Sequence, residues 1–167
     1  MDGSVLENLA SILDEQAEVY ESLVELSRRK QRIIVQGGSG EFEAILEGEQ
    51  ALVWQAGRLE ELRLGLQQQL AGHLNLSPEE LTMSRVLERC EEPMGGRLKA
   101  LQNRIFSVLG ELGRLNEVNT RLLKKSLSYI TAAMEVLNRD QPSNVTYTPA
   151  GETSVSKEPR RFLNHRA

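Results

Sequence analysis

The sequence holds one cysteine, one tryptophan and two histidines in 167 residues, and its aromatics amount to only 4%. A lone cysteine excludes an internal disulfide and any multi-cysteine metal cage, and it fits a reducing compartment. With so few rings, the core must be built from Leu, Ile, Val and Ala. Lys and Arg number 20 against 24 Asp and Glu. Nucleic-acid binders usually carry a basic excess, so no nucleic-acid partner is expected. No apolar stretch approaches the ~20 residues of a membrane span. The opening MDGSVLENLA is acidic and amphipathic rather than a charged-then-apolar leader. Integral membrane insertion is therefore not expected, and the cytoplasm is the expected location. HExxH, GxSxG, CxxC and Walker-type loops are absent. His73 has no carboxylate or cysteine at ligand spacing, and Cys90 has no nearby histidine. The chain reads as a non-enzyme without metal or cofactor, which leaves a helical binding protein.

What is present is leucine at helical spacing. Proline is confined to positions 78, 93, 142, 149 and 159, so two long stretches are free of helix breakers. Leu6, Leu9, Ile12, Leu13, Tyr20, Leu23 and Val24 predict a first helix from Ser4 to about Gln36. Its first two thirds are acidic, and Arg28, Arg29, Lys30 and Arg32 close it, a polarity that complements the helix dipole. This basic cluster reads as a solvated helix end before it reads as a docking patch. Gly37, Gly38, Ser39 and Gly40 predict a plain turn between antiparallel helices. A second helix follows from about Glu41 to Ala71, with Trp54 expected to be partly packed at the edge of its stripe. Ser77-Pro78-Glu79-Glu80 has the pattern of a helix start, opening a short helix that ends near Cys90 before Pro93. From Arg97 to about Asn138 runs the longest helix, roughly 60 Å at ~1.5 Å per residue. It is expected to be the spine along which the other helices lie. The fold class is all-α: an elongated antiparallel bundle or coiled coil of three long helices and one short one. The domain is expected over residues 1–138. Residues 139–167, rich in Ser, Thr and Pro, are expected to be a flexible, disordered tail, with Phe162 and Leu163 beside Arg160 and Arg161 as an isolated apolar spot.

The last helix carries the candidate site. Asn116, Asn119, Ser126 and Ser128 interrupt or border its stripe. Such residues either fix register at a seam or mark a groove in which a partner supplies hydrogen bonds. Leu122, Leu123, Leu127, Ile130, Met134 and Leu137 widen the apolar surface beyond one seam, which implies more than one neighbour.

With those residues in view, the chain resembles the FlgN family of flagellar export chaperones. Leu115, Asn119, Leu122, Leu123, Ser126, Leu127, Tyr129 and Ile130 fit that family's N-x-x-L-L-x-x-S-L-x-Y-I signature. Glu49, the Leu59-Glu60-Glu61 step and Arg63 resemble its second-helix pattern, and Tyr147 with Gly151 resembles its element after the helix. The resemblance implies a bundle that binds hook-associated (hook–filament junction) proteins and prevents their premature assembly. It also implies delivery of them to the flagellar export gate by type III secretion. It places partner binding on Asn119, Leu122, Leu123, Ser126, Leu127, Ile130, Met134 and Leu137, with Tyr147 as the candidate gate contact. The remaining reading is a coiled-coil adaptor or scaffold that forms a homodimer through the same seam.

Overall fold

Each long helix of the protein buries residues at alternating steps of three and four, the signature of coiled-coil-like packing. In the computed structural model α1 spans Gly3–Gln36, α2 Ser39–Leu74, α3 Met83–Leu87 and α4 Met94–Arg139, followed by strands β1 (Val145–Tyr147) and β2 (Thr153–Val155). Residues 3–37, 39–139, 145–147 and 153–155 are described. The rest of the expected tail, including Arg160 to Leu163, lies outside the described residues. The fold is all-α in its body, with three long helices and one short one. β1 and β2 form a small antiparallel hairpin in which Thr146 faces Ser154. The chain divides into two compact units, Met1–Leu123 and Lys124–Ala167.

Within the first unit, the seam of α2 is Ile45, Glu49, Leu52, Ala56, Leu59, Arg63, Leu66 and Leu70, all buried or half-buried. The seam of α4 is Leu98, Leu101, Ile105, Val108, Leu112, Leu115 and Asn119. α1 differs. It buries twelve residues, including the adjacent pairs Val5-Leu6, Leu9-Ala10 and Leu23-Val24, so it presents two apolar flanks at once. α1 is therefore the central helix, which corrects the expectation that α4 is the spine. Length suggested the spine; flank width decides it, because α1 buries adjacent pairs along most of its length, α2 only Leu70-Ala71, and the described part of α4 none.

Polar contacts give the directions. Gln16 meets Glu60 and Lys30 meets Glu49, so α2 runs antiparallel to α1. Arg97 meets Glu7, Arg104 meets Asp14 and Asn119 meets Ser27, so α4 runs parallel to α1. This is an up–down–up bundle, with α3 in the connection between α2 and α4 at the starting end. The basic end of α1 is not simply solvated: Arg28 pairs with Glu111, Arg29 with Glu41 and Lys30 with Glu49.

The turns show local chemistry at work. Gly37 takes φ 81° and donates its N–H to Ile33 O at 2.8 Å, the left-handed cap that glycine adopts without cost. Asn75, at φ 53°, ends α2 in a Schellman-type closure, with Leu76 N–H donating to Ala71 O. The Ser77 start forms its reciprocal bonds: Ser77 N–H to Glu80 Oε2 at 3.0 Å and Glu80 N–H to Ser77 Oγ at 3.3 Å. Yet no helix grows from it. Gln67 Nε2 donates to Pro78 O at 2.8 Å and Leu81 O at 3.3 Å, taking carbonyls that a helix would use. Helix α3 begins only after Thr82, whose hydroxyl accepts from Arg85 N–H.

One apolar cluster closes this end of the bundle, with Leu6, Leu9, Leu13, Leu70, Leu81, Val86, Leu98 and Leu101 drawn from all four helices. A smaller one, around Val19, Leu23 and Leu59, holds the middle.

Candidate functional site in the last helix

The polar residues of the bundle gather where α1, α2 and α4 meet. Ser27 is buried, and its hydroxyl lies 3.4 Å from both Glu49 Oε1 and Asn116 Oδ1. Lys30 Nζ donates to Glu49 Oε2 at 2.7 Å, and both side chains are mostly covered. Asn119, 2% exposed, donates from Nδ2 to Ser27 O at 2.9 Å. Its Oδ1 has no hydrogen-bond partner among the described residues. Deeper along the same seam, buried Gln16 donates to Glu60, which also takes two bonds of 2.7 Å from Arg63. Those bonds, the Arg63 pair foremost, hold the Glu60 carboxyl below the usual glutamate range. Burial pushes the neighbouring Tyr20 phenol up. Glu49 and Glu60 thus tie α2 to α1, and Arg63 braces Glu60 within α2.

Asn119 is therefore engaged inside the bundle, at a seam position. Leu122 and Ser126 are half-buried, and Leu123 is exposed. Within residues 124–139 the picture changes. Every residue from 127 to 138 is exposed, including Leu127 at 64%, Ile130 at 57%, Met134 at 46% and Leu137 at 69%. These four follow one another at steps of three, four and three, so they form one stripe on α4. Tyr129, Ala133 and Val136, each one residue from the stripe, are exposed as well.

Leu127 also borders a shallow hollow of about 470 Å³ shared with Lys124, Ser128, Thr131, Ala132 and Glu135. Tyr129 and Val136, also large and exposed, are not among the site residues expected from the sequence. Tyr147 belongs to β1; its side chain lies outside the described residues. Cys90 is half-buried, and burial pushes its thiol up, away from the reactive thiolate.

The arrangement presents exposed apolar side chains at helical spacing. Among the described residues no group of three or more His, Cys, Asp or Glu could hold a metal ion, and no helix is long and apolar enough to cross a membrane. No curated protein and no solved structure matches the chain. A protein-family comparison does: residues 1–154 match the family described as FlgN protein. That match covers the bundle, the exposed stripe and all but the last residue of the hairpin, and so the chain belongs to the FlgN family, a family of flagellar type III export chaperones.

Proposed function

We propose that this chaperone binds the helical termini of hook-associated proteins through the stripe Leu127, Ile130, Met134 and Leu137, with Leu122, Leu123 and Ser126 at its near edge. It holds them unassembled and delivers them to the export gate in the cytoplasm, with Tyr147 as the gate contact. The observation that carries this reading is four large apolar residues at steps of three, four and three, all exposed. A cargo helix with leucines at the same spacing would cover them, and a helix-in-groove contact needs no nucleotide.

The test is calorimetry with a C-terminal helical segment of a hook-associated protein. Covering a leucine contributes roughly 1.5–3 kcal/mol, so Leu127→Asp with Ile130→Asp should weaken binding by about a hundredfold or more. Tyr147→Ala should leave that affinity intact and lower export. Cargo affinity unchanged in the double variant would remove the site from α4. A concentration-independent dimer that those substitutions dissolve would favour the homodimeric scaffold instead.

A further inference from the structure

A second exposed apolar surface lies on the first unit, between α1 and α2. Two adjoining hollows of about 390 and 370 Å³ share Leu62. Ile12, Leu62 and Leu66 line one, Trp54 and Leu59 the other. Trp54 is 70% exposed and Leu62 55%, which corrects the expectation of a partly packed tryptophan. Beside the covered Leu59, Arg63 and Leu66, the residues Trp54, Arg58, Glu61 and Leu62 of α2 stay exposed along this groove.

Charge distinguishes this face from the face of α1 toward α4. Residues 3–25 hold six carboxylates and no Lys or Arg. Those facing α4 are neutralised: Glu7 by Arg97, and Asp14 and Glu21 by Arg104. Glu60 of α2 is neutralised by Arg63. The groove's own carboxylates are not. Glu15 meets only the Ser11 hydroxyl, at 3.5 Å, and among the described residues neither Glu15 nor Glu61 has a cation within ion-pairing distance. Arg58 on the same wall also stands without an ion pair among them. Gly65 lines the groove, and a Cβ added there would meet nothing within 4 Å. By contrast, a Cβ at Gly48 would meet Leu26 at 3.1 Å. Internal packing explains Gly48 and does not explain Gly65, which costs α2 about 1 kcal/mol relative to alanine.

We infer that this groove docks a second protein segment, an amphipathic helix whose apolar stripe is flanked by Lys or Arg. The stripe covers Trp54, Leu62 and Ile12, its cations meet Glu15 and Glu61, and Gly65 lets its backbone come close. Glu15 and Glu61 against Arg58 leave the rim acidic, and the partner carries the opposite charge.

Trp54 is the chain's single tryptophan, so its emission reports occupancy. The full-length chain is titrated with two synthetic 18-residue helices bearing leucine at three-four spacing, one flanked by lysine and one by glutamate. The lysine peptide should shift the emission to the blue, less so as salt rises, and the glutamate peptide should leave it unchanged. Glu61→Lys with Glu15→Lys should weaken the lysine peptide at least tenfold, whereas Glu43→Lys, exposed on the same helix outside the groove, should not. Gly65→Ala should raise the melting midpoint by about 2–4 °C and still weaken the peptide severalfold, a combination that a merely structural glycine does not give. Equal response to both peptides, or equal loss from Glu43→Lys, overturns the inference. So does a blue shift that grows with protein concentration alone, alongside a dimer by light scattering, since the occupant is then a second copy of this chain.

Discussion

Asn119 shows what a single residue's position settles. In the sequence it sits on the apolar stripe and permits two readings, a register-fixing contact or a hydrogen bond waiting for a partner. The distance of 2.9 Å from its Nδ2 to Ser27 O decides for the first. The helix carbonyl it reaches belongs to α1, so the bond sets the axial position of α4 against α1. The cost is visible in the same side chain, whose buried Oδ1 finds no partner among the described residues. A buried acceptor left unpaired costs roughly 1–3 kcal/mol, against about 1 kcal/mol for the bond made. Asn119→Leu should therefore raise stability by about 1 kcal/mol in urea unfolding, the pattern of a polar seam residue kept for specificity. A loss of stability in that variant would show that the bond outweighs the orphan oxygen. The sequence could not supply this choice, because Ser27, Lys30 and Glu49, which complete the polar layer, lie 92, 89 and 70 residues away in the chain.

At the scale of elements, the long helices were legible because a seam of threes and fours repeats through each of them. Observed bounds of Gly3–Gln36, Ser39–Leu74 and Met94–Arg139 lie within about three residues of those read from periodicity. The short helix was misplaced, since its start pattern is real but Gln67, on another helix, takes the carbonyls beyond it. The candidate site was legible as surplus apolar residues, yet its exposure was not, because which positions are covered depends on the other helices. That exposure has a dynamic consequence. An isolated helix of a dozen residues is marginal in water, and residues 127–138 have little besides local hydrogen bonds to hold them. Hydrogen exchange without cargo should show amide protection falling steeply after Ser126, while Leu98 to Leu115 stay protected. Addition of a cargo helix should restore protection at Leu127 to Leu137. Uniform protection along α4 without cargo would mean that the stripe is already covered in solution.

Across the whole molecule, charge is divided between the helices. Residues 3–74 carry twelve Asp and Glu against six Lys and Arg, while residues 94–139 carry eight Lys and Arg against three Glu. The attraction between these sets runs through few contacts, and Arg104 holds the largest share. Its guanidinium takes Glu21 through two bonds of 2.7 Å and Asp14 through one of 2.6 Å. The Glu21 carboxyl is held below its ordinary value by the Arg104 hydrogen bonds, and the Arg104 pKa is raised in turn, chiefly by the same bonds. The sign of the pH dependence follows. A carboxyl with a depressed folded pKa contributes stability above its unfolded pKa and loses it as pH falls through the folded one. Glu21 and Glu60 both behave so, and each starts from an ordinary value of 4.5. The thermal midpoint should hold near neutrality and decline as pH passes downward through 4.5 and below. Arg104→Met removes the partner of two carboxylates while keeping the stem that packs along α1. Since these groups are partly exposed, solvent screening limits the loss at neutral pH to about 1 kcal/mol. The clearer signature is in the acid limb. With no arginine to hold Glu21 ionised, the decline should become shallower, and the gap between the variant and the parent should narrow toward pH 3. A gap that stays constant from pH 7 to pH 3 would mean that Arg104 acts by packing and not by charge. A parent midpoint insensitive to acid would mean that the charge division between helices contributes nothing to holding them together.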